Sequence, residues 1–247
     1  MDGFGRKRIR LREKRWNQRF LFFEQGNIIF TRIVNLRREG LELKWNQEEK
    51  NFHKAEKLLV GVDEAGRGPL AGPVVVASVI LPADFPVKIL EDSKKLTSKK
   101  REVAYEKIVA SAIEYQIVEI DSSVIDEINI LQATLKGMRE AVENLAKPVS
   151  QVVVDGRRAK ELPDSWEFVI GGDRHYGAIA AASILAKVYR DQLMASWDEK
   201  YPLYGFGKNK GYGSKAHMEA IRIHGPCPIH RRSFDPLRSW LEENCLF

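Results

Sequence analysis

Residues 58–81 read LLVGVDEAGRGPLAGPVVVASVIL, and the rest of the chain is organised around them. An apolar run, residues 58–62, ends in two adjacent carboxylates, Asp63 and Glu64. A loop with one arginine between two glycines follows, Gly66-Arg67-Gly68, and then a second apolar run, residues 74–81. Short β-branched runs bounded by Gly and Pro are expected to be buried strands. The acidic pair therefore stands where a strand gives way to a turn. Neighbouring residues of a strand point to opposite faces. Asp63 and Glu64 can serve one site only if the strand is ending there, or if a bound cation draws both in. Charges at a strand end must be solvated, paired or bound to metal, because burying them bare is costly.

The arrangement recurs downstream. Residues 151–154 make a short apolar strand that runs into Asp155-Gly156, and residues 166–170 a further one that runs into Gly171-Gly172-Asp173. Residues 115–120 read as another strand. Thr97 or Ser98 is the expected N-cap of a helix reaching Ser111. Apolar residues at helical spacing from Ile130 to Leu145 place a core-packing helix over 129–145, closed by Pro148. The small residues 180–183 are expected to open a long helix, to about Trp197, that packs closely on the sheet. Strands alternating with helices suggest a mixed sheet covered on both sides, and strand ends on one edge of such a sheet can bring distant residues together.

Collected at one edge, Asp63, Glu64, Asp155 and Asp173 would repel one another unless divalent cations sat among them. Oxygen-only ligands suit Mg²⁺ or Mn²⁺ rather than zinc, and no His or Cys spacing argues for a softer metal. Two such ions about 4 Å apart can bind a phosphate, activate a water and stabilise a leaving oxygen. The strand-end pattern alone leaves a metal site and a set of solvated turns both open.

Charge is unevenly placed along the 247 residues. Residues 1–57 hold 15 Lys/Arg against 8 Asp/Glu, a net of +7 within a total of +6. The first nineteen, MDGFGRKRIRLREKRWNQR, read either as a phosphate-neutralising arm or as a solvated tail. Residues 20–36 suit a hairpin around Gln25-Gly26-Asn27, or a strand and a helix start, and 39–57 suit a helix leading into the first strand. Domain organisation is therefore expected as a basic extension of unknown role, 1–57, and a catalytic domain, 58–247. Within that domain Lys94, Lys95, Lys99, Lys100 and Arg101 form the densest basic cluster. Ser93 and Lys94, just before a helix start, are candidates for phosphate contact, as are Lys187 and Arg190, three apart on one helix face. A salt bridge from that face to Asp191 or Glu199 is the plainer alternative. Lys, Gly and Tyr interleave through residues 201–217, YPLYGFGKNKGYGSKAH, which suits sugar or base contacts as well as an ordinary loop. No apolar run has the length of a membrane span. Two cysteines, Cys227 and Cys245, are too few for a disulfide framework, so a cytoplasmic protein is expected.

The stretch GVDEAGRGPLAGPVVVASVIL resembles the opening motif of ribonuclease HII, an endonuclease acting on RNA in RNA–DNA hybrids. The later segments DSKKLT, VVVDG, AAASILAKVYRD, NKGYGSKAH and HRRSF are similar to that family in the same order, so the resemblance covers roughly residues 58–237. It implies a ribonuclease H-like α/β fold, a mixed five-stranded sheet flanked by helices, with a C-terminal helical segment. It implies that Asp63, Glu64, Asp155 and Asp173 bind two Mg²⁺ or Mn²⁺ ions; an aspartate at 173 fits this family, whereas ribonuclease HIII carries glutamate there and a larger N-terminal domain. It also implies that the Gly66-Arg67-Gly68 loop contacts the ribonucleotide at an RNA-to-DNA step, that Tyr212 stacks on the deoxyribose after it, and that the products carry 3′-hydroxyl and 5′-phosphate ends. The expected partners are an RNA–DNA hybrid or a ribonucleotide-containing DNA duplex. A monomer without an obligate protein partner is expected. Two rivals stand beside this reading: a nuclease of the same fold acting on DNA, and a non-catalytic nucleic-acid binder that uses the basic arm.

Overall fold

The computed structural model describes residues 20–24, 27–31, 47–90 and 97–243, in two compact units that divide between Leu41 and Glu42. In the first unit, strands β1 (Phe20–Glu24) and β2 (Asn27–Thr31) pair antiparallel, with Phe20 opposite Thr31. The basic arm and the candidates Ser93 and Lys94 lie outside the described residues. The second unit begins with helix α1 (Gln47–Lys54), so the last part of the segment read as an extension is an element of the main unit.

The remaining elements follow the apolar runs. They are β3 (Leu59–Ala65), β4 (Val74–Ile80), α2 (Ser98–Ser111), β5 (Glu114–Ile120), α3 (Ser122–Glu143), β6 (Gln151–Asp155) and β7 (Glu167–Val169). After them come α4 (Gly177–Lys200), the single turn α5 (Phe206–Asn209), α6 (Lys215–His224) and α7 (Leu237–Glu242). Thr97 caps α2 as its sequence suggested, its side chain accepting from the Lys100 amide.

The sheet runs β5-β4-β3-β6-β7, mixed as expected: β3–β4 and β4–β5 are antiparallel, β3–β6 and β6–β7 parallel. Every residue of β4 is buried, because both faces of the sheet are covered and the strand cannot show the alternation of a half-exposed one. On one face Val75, Ala77 and Val79 pack against α2 and the alanine-rich start of α4. On the other Val60, Val62, Val76 and Ile80 meet Leu135, Met138 and Ala141 of α3. The small residues of α4 do what their size allows. A Cβ on Gly61 of β3 would lie 2.2 Å from the Ala178 carbonyl carbon, so helix and strand touch backbone to backbone. Helix α3 starts earlier than its apolar spacing indicated and breaks at Asn129, which adopts φ 66° while its side-chain oxygen accepts from the Leu131 and Gln132 amides. It is in effect two helices, the second capped by Asn129. The C-terminal helices enclose a separate apolar cluster with Leu70, Met194, Phe206, Ile221 and Leu237. Among the described residues no helix is long and apolar enough to cross a membrane.

Candidate active site

The parallel pairing of β3 with β6 decides the site. Val62 stands opposite Val154, so the next residues, Asp63 and Asp155, follow side by side on neighbouring strands. The strand expected to end at the acidic pair instead runs on to Ala65, because Asp63, Glu64 and Ala65 stay paired with Ala77, Val76 and Val75 of β4. Asp63 and Asp155 both occupy alternate positions to Gly61 and Val153, which face α4. They therefore emerge beneath that helix. From α4, Ser183 hydrogen-bonds Asp63. The Glu64 amide donates to Asp63 Oδ1 at 2.7 Å, and the Gly172 amide donates to Asp155 Oδ1 at 2.8 Å. The second bond ties the end of β6 to the helical turn Gly172–Arg174, which carries the buried Asp173. Alternation would send Glu64 away from Asp63, yet Glu64 lines the same cleft as Ser183 and Lys187.

Electrostatics record this crowding. Burial, and then the charges of Glu64 and Asp155, push the Asp63 carboxyl well above its usual range. Burial also raises Glu64, against the pull of the Arg67 guanidinium 3.3 Å away and with Asp155 adding to the rise. His175 is lowered by burial, while Asp173 and Asp155 both oppose that shift, so its ring lies within reach of both acids. The sequence reading had not singled out His175, which lies two residues past Asp173 in a turn without periodicity.

The donor set fits a hard divalent ion. It is all oxygen, its like charges raise one another, and Glu64 Oε2 is buried with no hydrogen-bond partner among the described residues. Among those residues no three acidic, histidine or cysteine side chains already stand as a ready-made ligand shell. Asp63 and Asp155 are instead held by their own hydrogen bonds to Ser183 and to backbone amides.

Beside the acids runs the glycine loop, clamped by two buried guanidinium groups. Arg190 of α4, 1% exposed, donates to the carbonyls of Pro73, Lys210 and Ala71 at 2.9–3.0 Å. The phosphate contact expected of Arg190 is thus replaced by a structural role, since its guanidinium is spent on backbone carbonyls inside the fold. Arg231, 0% exposed, donates to Gly72, Arg67 and Gly66 at 2.9, 2.9 and 2.5 Å. Burial first, and then the Arg190 charge, lower Arg231 to about 9, so it stays cationic at neutral pH. Gly66 takes φ +95°, and a Cβ there would lie 2.1 Å from Arg190 Nε, so only glycine fits between turn and clamp.

Gly68 faces the Tyr212 ring, which is 49% exposed, across 3.8 Å measured from the Cβ that Gly68 lacks. Glu64, Gly66, Arg101, Ser183, Lys187 and Tyr212 line one cleft of about 350 Å³. Lys187 reaches this cleft while paired with Asp191 at 2.6 Å, the salt bridge weighed from the sequence. Behind Tyr212 sits a buried histidine pair. The Cys227 amide donates to His230 Nδ1 at 2.9 Å, so His230 carries its proton on Nε2 and donates to His217 Nε2 at 3.0 Å. His217 Nδ1 then donates to the Tyr212 carbonyl at 2.9 Å. Both rings are neutral and packed, as expected of histidines outside catalysis.

A mixed five-stranded sheet, helices on both faces and acids side by side on adjacent parallel strands define a nuclease of the ribonuclease H-like fold. The structure of ribonuclease H2 from Pyrococcus horikoshii matches with a TM-score of 0.63 at 26% identity, over 75% of this chain and 98% of that one. Bst-RNase HIII in complex with Mn²⁺ matches in fold with a TM-score of 0.59 at 14% identity, over 94% and 88% of the two chains. A ribonuclease HII of Acinetobacter baylyi is 52% identical over 189 residues, covering 76% of this chain and 100% of that protein. The family model for ribonuclease HII matches residues 60–236. The chain belongs to the ribonuclease HII family. It is a hydrolytic endoribonuclease, and its family acts on the RNA of RNA–DNA hybrids.

Proposed function

We propose that this enzyme nicks nucleic acid on the 5′ side of a ribonucleotide, including a single one embedded in duplex DNA, and so serves to remove misincorporated ribonucleotides and RNA primers. The observation that carries the reading is one cleft that holds both chemistries: Glu64, next to the Asp63–Asp155 pair, lines it together with Gly66 and Tyr212. Asp63, Glu64, Asp155 and Asp173 would hold two Mg²⁺ or Mn²⁺ ions; Mn²⁺ is the ion named with the structurally similar Bst-RNase HIII. Bound there, the ions would neutralise the scissile phosphate, activate the attacking water and steady the leaving 3′-oxygen. The products are then 3′-hydroxyl and 5′-phosphate ends.

The chain's own groups do the reading. Gly66 and Gly68 flank Arg67 with backbone that carries no side chain to keep a sugar away, so a 2′-hydroxyl can be met by hydrogen bonds. The two buried arginines keep that backbone still. The exposed Tyr212 ring, beside Gly68, would stack on the sugar that follows the ribonucleotide. Arg101 and Lys187 line the same cleft as Glu64, Lys187 while paired with Asp191, and are proposed as contacts for a backbone phosphate. Asp173, within reach of His175, would hold metal and help order the attacking water. Ser93 and Lys94 are proposed as further phosphate contacts and the basic arm as a non-specific duplex anchor. The enzyme acts as a monomer in the cytoplasm, without an obligate protein partner; two cysteines outside any metal-binding spacing fit a reducing compartment.

Asp63→Asn tests this reading. It removes one charge from the pair without changing its shape, so turnover should vanish while hybrid binding measured in chelator stays within a factor of two. Turnover retained in that variant contradicts the assignment of Asp63 to the metal site.

A further inference from the structure

Helix α1 lies ahead of the matched family region, which begins at residue 60. Its sequence, QEEKNFHK, is almost wholly polar, and it buries one residue, a glutamate. Glu49 is 1% exposed. Glutamate is almost never buried that far unless it is paired. Here both carboxylate oxygens are engaged: Oε2 accepts from the Gly177 amide and Oε1 from the Ala178 amide, each at 3.0 Å. These are the first two amides of α4, the 24-residue helix that covers the acidic site.

The first amides of a helix have no partner within it, and the N-cap residue of α4, Tyr176, makes no side-chain capping bond. Glu49 supplies the cap from 128 residues upstream and sets a full negative charge against the positive end of the helix dipole. Its neighbour Glu48 takes the Tyr176 hydroxyl, which also lies 3.3 Å from Glu167 of β7. Phe52 of the same helix packs beside Tyr176, Ala178 and Ile179. So α1 grips the junction where β7, the Asp173 turn and α4 meet. Three residues separate Asp173 from Gly177, and the Tyr176 amide is bonded back to Gly172 at 2.8 Å. Six residues into α4, Ser183 holds Asp63. A shift of α4 along its axis would move the turn that carries Asp173 and the hydroxyl that orients Asp63 together.

We infer that Glu49 is a positioning residue for the acidic centre: by fixing the start of α4 it sets Asp173 and Ser183 relative to Asp63 and Asp155. The helix that precedes the family region is then part of what makes the metal site. This inference rests on the metal-binding reading given above, and its test separates the two.

The test titrates Mn²⁺ into the full chain and follows loss of the free-ion signal by electron paramagnetic resonance. Wild type is compared with Glu49→Ala, Glu49→Gln and a control, Ser78→Ala, which removes a buried hydrogen bond to the Ala141 carbonyl on the opposite face of the sheet. Partners behind metal ligands typically govern about 10–100-fold in metal affinity or activity. Glu49→Ala should therefore bind Mn²⁺ about tenfold more weakly, and its kcat on a hybrid should fall to a similar degree with little change in KM. Glu49→Gln, which keeps one acceptor, should lie between, and Ser78→Ala should bind as wild type does even where its thermal stability falls as far. A Glu49→Ala protein that binds Mn²⁺ like wild type overturns the inference and leaves the metal site standing. Weakening of equal size in Ser78→Ala also overturns it, since general destabilisation would then suffice. If Glu49→Ala does not fold, wild-type binding by Glu49→Gln overturns it. A wild type that takes up no Mn²⁺ overturns the metal-site reading and this inference with it.

Discussion

Arg231→Met removes one of the two guanidinium groups that clamp the glycine loop and replaces it with an apolar chain of similar reach. Three carbonyls lose a charged donor. The bond to Gly72 is fully buried, and those to Arg67 and Gly66 are partly so. A buried acceptor left unsatisfied costs about 1–3 kcal/mol, and the two that water can reach less than that. The Arg231 guanidinium also lies 5.0 Å from the centre of the Phe234 ring, a contact worth about 0.5–1 kcal/mol more. Relief of the repulsion from Arg190 and packing by the methionine offset part of the loss. The net is about 3–4 kcal/mol, which for a chain of this size lowers Tm by about 10 °C. The protein should remain folded at 25 °C, since domains hold about 5–15 kcal/mol in reserve. The informative assay is cleavage at that temperature, comparing an RNA tract with a single embedded ribonucleotide. A loosened Gly66–Arg67 backbone should cost the single-ribonucleotide substrate more, because it offers one 2′-hydroxyl to be read. Unchanged Tm and unchanged preference between the two substrates would refute the clamp. A large Tm loss with unchanged preference would leave Arg231 a structural residue only.

Other outcomes follow from the same geometry. Tyr212→Ala removes an exposed ring, so Tm should hold while cleavage at a single ribonucleotide falls at least about 5-fold, as expected from losing about 1 kcal/mol or more of stacking; equal activity of mutant and wild type on that substrate would dismiss the stacking role. The histidine pair predicts a pH dependence of stability. Burial first, and then the proximity of His217, lower His230 to about 4, and burial lowers His217 as well. A folded value below the unfolded 6.5 means that the unfolded chain binds the proton more readily. This stability is present above about pH 6.5 and is lost as pH falls towards 4, by up to about 3 kcal/mol for His230. Urea melts of wild type and His230→Gln between pH 7 and 4.5 should converge as the pH drops; parallel curves would contradict the neutral-pair assignment.

Much of the fold was legible because the sheet is buried on both faces. Runs such as residues 74–80 are then apolar but for one small serine, and such runs bounded by Gly and Pro are hard to mistake. Caps that act locally were legible too, as Thr97 shows. Contacts made across the chain were not. Glu49 sits in a helix whose composition is that of a solvated one, and nothing near it in sequence announces amides 128 residues away. The same holds for Arg190 and Arg231. Arginine is expected at the surface, and only the fold places carbonyls around these two. The part of α3 that Asn129 caps is the helix expected from residue 129, whereas the turns from Ser122 that precede it carried no apolar spacing to announce them. The acidic site lay between these cases. A carboxylate following each apolar run could be seen, although only Asp155 ends its strand, and the side-by-side placement of Asp63 and Asp155 required the parallel register of β3 and β6. The individual roles of the acids and of Tyr212 came from the family motifs and not from periodicity.

The most direct measurement uses a DNA duplex with one ribonucleotide, beside the same duplex made wholly of DNA. Each is incubated with the protein and Mg²⁺, Mn²⁺ or chelator, and the ends are mapped. The account predicts a nick on the 5′ side of the ribonucleotide, with 3′-hydroxyl and 5′-phosphate ends, in either metal and in neither chelator nor the all-DNA control. Cutting of the all-DNA duplex, or nicking that persists in chelator, would contradict it.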